Sequence, residues 1–202
     1  MKVIEHISCN EFPCLDVRHE GIVVPEVEID PQGISMMMIS EAAPAEPKDY
    51  YYAGGDSAFE RTTLEAFKEA GSEASSFKEL MAMGVYLTSA VKCGKTGYGI
   101  KAGTIKECSR ILEKEIALFP NIKVIMLMGD VAIKAINYIA KRAGEARVIP
   151  SGSTYKIRGQ EYYFRNIRAF PSYLQAGPSF GIEKSKVRMI AEDIAAGLAL
   201  AS

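Results

Sequence analysis

The chain has 202 residues, of which 48% are hydrophobic and 24% charged, a composition typical of a globular protein with one sizeable core. No apolar run approaches the roughly 20 residues of a membrane-spanning helix, and the N-terminus lacks the apolar stretch of a secretory signal. We therefore expect a cytoplasmic protein that does not associate with membranes and has no structural disulfides.

Charge is unevenly distributed along the chain, although the net charge is only −1. Residues 1–80 contain 16 acidic and six basic residues, whereas residues 81–202 contain nine acidic and 18 basic residues. Such asymmetry indicates an anionic partner for the basic part, nucleic acid being the usual one. Alternatively, the two parts neutralise each other in the folded protein, and charge alone leaves both interpretations open.

Predicted strands and helices alternate along the chain. The strands are residues 34–40, 84–91, 123–129 and 161–170, and the helices are residues 57–71, 104–118, 130–143 and 182–200. The first three strands are unbroken apolar runs, as in buried parallel sheets, and a hairpin through Gly159 and Gln160 is predicted before the fourth. The pattern predicts an α/β fold, a three-layer α/β/α sandwich with a central, mostly parallel four-stranded sheet, formed by residues 1–202 as one domain.

Ligands of such sheets bind beyond the carboxyl ends of the strands. The corresponding segments here are residues 40–44, 89–93, 129–130 and 170–172. Functional side chains are therefore expected in these four segments.

The four cysteines form two groups, Cys9 with Cys14 and Cys93 with Cys108. Four thiolates can bind zinc or an iron–sulfur cluster, but neither spacing matches the paired C-x-x-C of a zinc ribbon. Cys108 lies in the first turn of a predicted helix, where the dipole favours a thiolate. Spacing alone leaves incidental cysteines, zinc and an iron–sulfur cluster open.

Motifs in these segments resemble those of the family 4 uracil-DNA glycosylases, the iron–sulfur branch of that superfamily. The similarity covers nearly the whole chain in order. Residues 40–44 (SEAAP) resemble the family's G-E-A-P-G, and residues 51–54 (YYAG) resemble its P-F-V-G stretch. Residues 86–93 (YLTSAVKC) resemble Y-[IL]-T-N-x-V-K-C, and residues 170–174 (FPSYL) stand where the family has H-P-S-x-L.

The resemblance implies a [4Fe-4S] cluster bound by Cys9, Cys14, Cys93 and Cys108. The N-terminal pair departs from the family's C-x-x-C by two extra residues. Zinc, or no metal, is the alternative.

The resemblance also implies a catalytic role for Glu41, which would position water or stabilise the developing cation at the sugar. The alternative is a loop carboxylate that caps a backbone amide. Tyr52 is the candidate for stacking on the base, although its register within Tyr50, Tyr51 and Tyr52 is open. Ser40, Ala42, Ser89, Phe170 and Ser172 complete the implied base pocket.

Two of these residues depart from the family pattern. Ser89 replaces the asparagine that recognises uracil, and Phe170 replaces the motif histidine. Position 89 therefore lacks the side-chain amide, and position 170 lacks the hydrogen-bond donor for the departing base. The first hypothesis is a DNA-repair enzyme that hydrolyses the N-glycosidic bond of a flipped uracil or other deaminated base. The second is a non-catalytic iron–sulfur protein with the same fold that binds nucleic acid or a nucleotide.

The segment between Cys93 and Cys108, with the residue before it, is predicted to bind DNA, single- or double-stranded. Lys92, Lys95, Lys101 and Lys106 are expected to contact phosphates, and Tyr98 to stack on a base or wedge beside it. The alternative is a solvated basic loop. We expect the protein to act as a monomer.

Overall fold

The structure is a computed structural model that describes residues 1–11, 13–55, 57–178 and 180–202. Its strands are β1 (Met36–Ala42), β2 (Val85–Val91), β3 (Val124–Met128), β4 (Tyr162–Phe164) and β5 (Ile167–Ser172). Its α-helices are α1 (Ala58–Glu69), α2 (Phe77–Ala82), α3 (Ala102–Ile116), α4 (Asp130–Arg142), α5 (Thr154–Ile157) and α6 (Lys184–Ala201). Short 3₁₀ helices occur at Val3–Glu5 and Pro47–Asp49.

The strands form one sheet in the order β2-β1-β3-β5-β4. The first four are parallel, and only β4 is antiparallel to its neighbour β5. Met38 of β1 lies opposite Leu87 of β2 and Met126 of β3, in the middle of the sheet. The predicted α/β fold with a mostly parallel sheet is confirmed, but the sheet has five strands instead of the predicted four.

The extra strand arises because the segment predicted as one strand, residues 161–170, folds into a hairpin. Arg165 has φ 55° and turns the chain, so that Phe164 pairs with Ile167 and Tyr162 with Ala169. The predicted hairpin through Gly159 and Gln160 is wrong, because the preceding residues form helix α5. The predicted sheet is therefore extended at one edge, where β4 pairs with β5.

Helices cover both faces of the sheet because its strands are apolar on both faces. Met37 and Ile39 of β1 belong to one core cluster, which includes buried residues of α3 and α4. Met36 and Met38 belong to a second cluster, which includes buried residues of α1, α2 and α6. This two-sided burial leaves the carboxyl edge of the sheet as the place where polar loops gather.

Two predicted helix starts have different outcomes. Ser57 caps α1, and its hydroxyl accepts a hydrogen bond from the Glu60 N–H at 3.1 Å. Helix α3 begins at Ala102, two residues before the predicted start at Thr104, and Asp16 accepts hydrogen bonds from the Lys101 N–H (2.6 Å) and from the Thr104 hydroxyl. The cap of α3 thus comes from a residue far away in sequence. Among the described residues, no helix is long and apolar enough to cross a membrane.

Candidate functional site

The carboxyl ends of β1, β3 and β5 open onto a cleft of about 460 Å³, the Glu41 cleft. Its lining includes Glu41, Tyr98, Asp130, Ser172, Tyr173 and Phe180. The predicted segments after β1, β3 and β5 therefore each contribute residues to one cleft, as the parallel topology requires.

Glu41 lies near the end of β1 and faces the N-terminus of α4. Its Oε1 accepts a hydrogen bond from the Val131 N–H at 3.4 Å. Burial raises the pKa of the Glu41 carboxyl above its usual value and the Asp130 carboxylate adds to the rise, whereas helix N–H groups and Lys95 oppose it. Glu41 is thus a partly desolvated carboxyl that lines the cleft and accepts a bond from a backbone amide, and its catalytic role stays a prediction.

Gly129 permits this close approach between β3 and Glu41. It has φ 104°, a conformation that L residues rarely adopt, and a Cβ at this position would lie 2.5 Å from Glu41 Oε1. The sequence places Gly129 between a predicted strand and a predicted helix, but its steric relation to Glu41 requires the structure.

Tyr98, Tyr173 and Phe180 contribute aromatic rings to the lining of the Glu41 cleft. Tyr98 is fully exposed, Phe180 is half-buried, and the Lys186 Nζ lies 5.4 Å from the ring centroid of Tyr173. Such faces suit stacking with a planar ring. Tyr173 and Phe180 were missed as site residues, although Tyr173 stands inside the quoted FPSYL motif.

Ser172 is held in place by a buried carboxylate on α6. Its hydroxyl donates to Asp193 Oδ2 at 2.5 Å, and Arg158 donates to both Asp193 oxygens, at 2.7 and 3.1 Å. Burial raises the pKa of Asp193 while the bonds from Arg158 and Ser172 oppose the rise. Asp193 was missed by the sequence analysis, and the available signal was an acid on the apolar face of α6.

The other residues of the predicted base pocket lie inside the protein. Ser40 and Ser89 are fully buried, and their hydroxyls donate to the carbonyls of Thr88 and Val91, both at 3.1 Å. Ala42 is buried, and Phe170 is 6% exposed beneath the Arg168 guanidinium, 4.3 Å from the ring centroid. Among the described residues that line the Glu41 cleft, only Glu41 and Ser172 belong to the predicted set of base-pocket and catalytic residues.

The three consecutive tyrosines have distinct positions. The Tyr50 hydroxyl lies 3.3 Å from Ser89 Oγ, and the Tyr51 hydroxyl accepts a bond from the Gln175 amide at 2.8 Å. Tyr52 packs on Phe77 of α2, and its hydroxyl accepts from the Leu87 N–H at 3.1 Å. The prediction that Tyr52 stacks on a base is corrected, because its ring belongs to the core on the α2 side and does not line the cleft.

Lys92 is fully buried, which corrects the prediction that it contacts phosphate. Its Nζ forms an ion pair with Glu115 of α3 and donates to the Ser89 carbonyl at 2.6 Å and to the Thr88 hydroxyl at 2.7 Å. Glu115 also accepts a bond from the Tyr86 hydroxyl at 2.7 Å. Lys92 therefore connects the end of β2 to α3.

The rest of the predicted DNA-binding segment is at the surface. Lys101 and Lys106 are exposed, and Lys95 is half-buried near Glu41, whose charge it stabilises. The Lys95 N–H donates to the Ala43 carbonyl at 3.3 Å, which ties the segment to the chain that follows β1. Tyr98 of this segment borders the Glu41 cleft and is fully exposed.

All four cysteines line a second cavity of about 270 Å³, the cysteine cavity. Cys93 and Cys108 are buried, and Cys9 and Cys14 are half-buried. Burial and the neighbouring thiols raise the pKa of Cys93 to about 12, and burial raises that of Cys108 to about 11. The Lys92 N–H donates to Cys108 Sγ at 3.2 Å, a bond of the kind that supports thiolate ligands.

The geometry of the cysteine cavity bears on which metal group its residues fit. Among the described residues, no three His, Cys, Asp or Glu side chains are grouped closely enough to hold a metal ion. A single zinc ion needs four sulfurs within about 2.3 Å of one point, whereas a multi-iron cluster separates its thiolates. Four thiols around one cavity are a donor set that a cluster or a zinc ion can use, so the [4Fe-4S] cluster stays a prediction.

The fold and the site together define an α/β protein with a ligand cleft at the carboxyl ends of parallel strands. The family model of the uracil DNA glycosylase superfamily matches residues 30–189. The chain therefore belongs to this superfamily. A comparison with curated proteins finds no match.

Proposed function

We propose that the protein is a DNA glycosylase that hydrolyses the N-glycosidic bond of a flipped, deaminated base. The observation that carries this proposal is the position of Glu41, a desolvated carboxyl in a cleft with aromatic lining at the carboxyl edge of the sheet. Superfamily membership supports this reaction class.

The chemistry assigned to Glu41 is that of a base or an electrostatic stabiliser. Release of the base requires a water molecule at the sugar and leaves positive charge on it in the transition state, and a carboxylate assists both. A raised pKa brings the carboxyl closer to neutral pH, where a general base is most effective. Tyr98, Tyr173 and Phe180 are proposed to stack on the extruded base or its neighbours.

The substrate preference is proposed to differ from that of uracil-specific relatives. Ser89 and Phe170 provide neither the amide nor the donor expected at those positions, and both are buried. A base held mainly by stacking fits this cleft, so hypoxanthine and xanthine are substrates to test beside uracil.

A second candidate function is nucleic-acid binding without hydrolysis. The observation that favours it is the hydrogen bond from the Val131 N–H to Glu41, which gives this carboxylate a structural role. The same missing donors at Ser89 and Phe170 would then be tolerated.

We also propose that Cys9, Cys14, Cys93 and Cys108 hold a [4Fe-4S] cluster, as in the family 4 branch. The support is the shared cavity of the four thiols. Such a cluster supplies cross-links between chain segments, and the base-releasing chemistry stays with Glu41. Iron and sulfide in anaerobically purified protein are the expected result, whereas a colourless protein that holds zinc would contradict it.

Excision tests the proposed function directly. Anaerobically purified protein is incubated with single- and double-stranded oligonucleotides that carry uracil, hypoxanthine or xanthine, and abasic sites are then cleaved with alkali. We expect strand scission with at least one base. The matched control is Glu73→Gln, an exposed carboxylate between α1 and α2, which should retain activity.

The alternative outcome separates the two candidates. Salt-sensitive binding to these oligonucleotides without scission on any of them would overturn the glycosylase proposal in favour of binding alone. Absence of both binding and scission would contradict both.

A further inference from the structure

A separate cavity lies beside α4, outside the Glu41 cleft. It has a volume of about 400 Å³ and is lined by Lys134, Asn137, Tyr138, Lys141, Glu145 and Arg147, and we call it the α4 pocket. The sequence analysis gave these residues no role, and neither the Glu41 cleft nor the cysteine cavity includes them.

The walls of the α4 pocket are held by Asn137. Its Oδ1 accepts from the N–H groups of Val148 and Ile149, both at 3.0 Å, and its side-chain amide donates to the Ile149 carbonyl at 2.9 Å. Arg147 Nε donates to the same carbonyl at 2.8 Å. The loop after α4 is therefore fixed against the helix, so the pocket is preorganised.

The charges in the pocket favour an anion. Lys134 is paired with Asp130, and Glu145 with Arg165 at 3.0 Å, which leaves Lys141 and Arg147 without an ion pair to any described residue. Both side chains are exposed, and Tyr138 is half-buried beside them. Two cations without an ion pair to a described residue, next to a phenol ring, match a phosphate group with a neighbouring planar base.

The α4 pocket and the Glu41 cleft are both lined by residues of α4, and an ion pair joins the two linings. Asp130 lines the cleft, and its partner Lys134 lines the pocket. Tyr138 follows Asp130 by eight residues, a distance of about 12 Å along a helix. That distance corresponds to about three or four nucleotide steps at the 3.4 Å axial rise of a DNA strand.

We propose that the α4 pocket binds the sugar–phosphate backbone of the same nucleic-acid strand, three or four nucleotides from the target base, with one base against Tyr138. This inference rests on the proposed function for the strand's position in the cleft. It adds a second contact region that extends the footprint along α4.

The test uses Lys141→Ala combined with Arg147→Ala, and compares its affinity for single-stranded oligonucleotides with that of the wild type by fluorescence anisotropy at several salt concentrations. Loss of two phosphate contacts should make the plot of log association constant against log salt concentration less steep by about 1.4. Binding should also weaken roughly tenfold at low salt. The control combines Lys68→Ala on α1 with Lys78→Ala on α2, which removes two positive charges away from the α4 pocket. It should change neither the salt slope nor the affinity.

Strand length makes the test specific for position. Oligonucleotides with two nucleotides on each side of the target base should bind the double variant and the wild type equally. Oligonucleotides extended by eight nucleotides on one side only should show the difference for one direction, 5′ or 3′. Tyr138→Ala should weaken binding of that longer strand roughly tenfold without changing the salt slope.

Three results would overturn the proposal: equal slopes for the double variant and the wild type on long strands, an equal effect of the Lys68 and Lys78 control, or competition by polyglutamate as strong as by DNA. The excision assay is scored separately. Excision by the wild type together with unchanged salt slopes for the double variant would contradict the α4-pocket proposal and support the glycosylase proposal. Altered slopes without excision would support the α4-pocket proposal and contradict the glycosylase proposal.

Discussion

Glu41 is a residue at which two physical effects oppose each other. Burial disfavours its ionised form, whereas the N–H groups at the start of α4 favour it. The balance is a raised pKa, so the ionised carboxylate costs folding free energy. A residue that is kept at such a cost is expected to serve chemistry more than stability.

The stability of Glu41→Gln against pH tests this balance. The folded-state pKa lies above the ordinary value of 4.5, so the wild type loses stability as pH rises from about that value through the folded-state pKa. Glutamine has no such loss. We expect Glu41→Gln to be more stable than the wild type at pH 7 and equal to it below about pH 4, measured by urea unfolding.

The contrary result has a clear meaning. If Glu41→Gln is less stable at pH 7 than the wild type, the carboxylate acts on balance as a stabilising helix cap. The Glu73→Gln control should show no pH-dependent difference, because that side chain is exposed.

Gly129 provides a second prediction for a single residue. An alanine there must adopt φ 104° and bring its Cβ against the Glu41 carboxyl. We expect Gly129→Ala to lose about 1–3 kcal/mol of unfolding free energy and to lose base release, because the carboxyl is displaced. Gly159→Ala is the control, because a Cβ there meets nothing within 4 Å. It should change neither the free energy of unfolding in urea nor base release in the excision assay.

Between elements, the most consequential contact joins β2 to α3. The buried Lys92–Glu115 pair sits at the end of β2, between Ser89 and Cys93. The sequence suggested a surface lysine, since Lys92 precedes a basic loop. Its burial depends on a carboxylate 23 residues later, which no local pattern reveals.

Lys92→Met should strongly destabilise the protein. It leaves Glu115 buried without its cation, which costs about 3–5 kcal/mol in comparable pairs. Glu115→Gln in the same chain should recover much of the loss, because glutamine can still accept from Tyr86 and Thr88. Urea midpoints for the two single variants and the double variant measure the coupling.

Lys95→Met is the matched control, since Lys95 is half-buried and pairs with no described carboxylate in a salt bridge. A change of less than about 0.5 kcal/mol is expected there. If Lys92→Met also loses less than about 0.5 kcal/mol of unfolding free energy, Lys92 is accessible in solution, and the prediction that it contacts phosphate is restored.

The strands and helices were predictable where the apolar residues follow a single strand-like or helix-like pattern. The apolar runs of β1, β2 and β3 and the capped α1 needed only local signals. The segment EYYFRNIRAF is rich in aromatic residues, and its turn at Arg165 and Asn166 contains no glycine or proline to mark it. The strand count was wrong for that reason.

For the whole molecule, the N-terminal segment completes the structure around the cysteine cavity. Residues 1–29 lie outside the superfamily match, yet they supply Cys9, Cys14 and Asp16. The Met1 ammonium group donates to the Ile29 carbonyl at 2.7 Å, and Val17 pairs with Lys95 in a β-bridge. This segment thus connects the cysteine cavity to the loop that reaches the Glu41 cleft.

Asp16→Ala should weaken this connection. It removes the acceptor for the Lys101 N–H and the Thr104 hydroxyl at the start of α3, at a cost of about 0.5–2 kcal/mol. We also expect less bound iron per chain, because α3 carries Cys108. Iron content and thermal unfolding of Asp16→Ala and of the exposed control Glu26→Ala measure both effects, and unchanged iron with an unchanged midpoint would contradict the prediction.

The candidate site was predictable in part. The motif after β1 identified Glu41, and two cysteine pairs predicted one site that the fold does bring to one cavity. Tyr173, Phe180 and Asp193 were not identified, because their roles depend on how α6 and the preceding loop pack beside β5. Ser89 and Phe170 hold motif positions yet point into the core, which the sequence cannot reveal.

Base release by the wild type and by Glu41→Gln, measured under single-turnover conditions at pH 7 with DNA affinity in parallel, tests the central claim most directly. We predict release by the wild type, release slower by about 100-fold or more in Glu41→Gln, and unchanged affinity. Equal rates for the two proteins, or release by neither, would contradict the account.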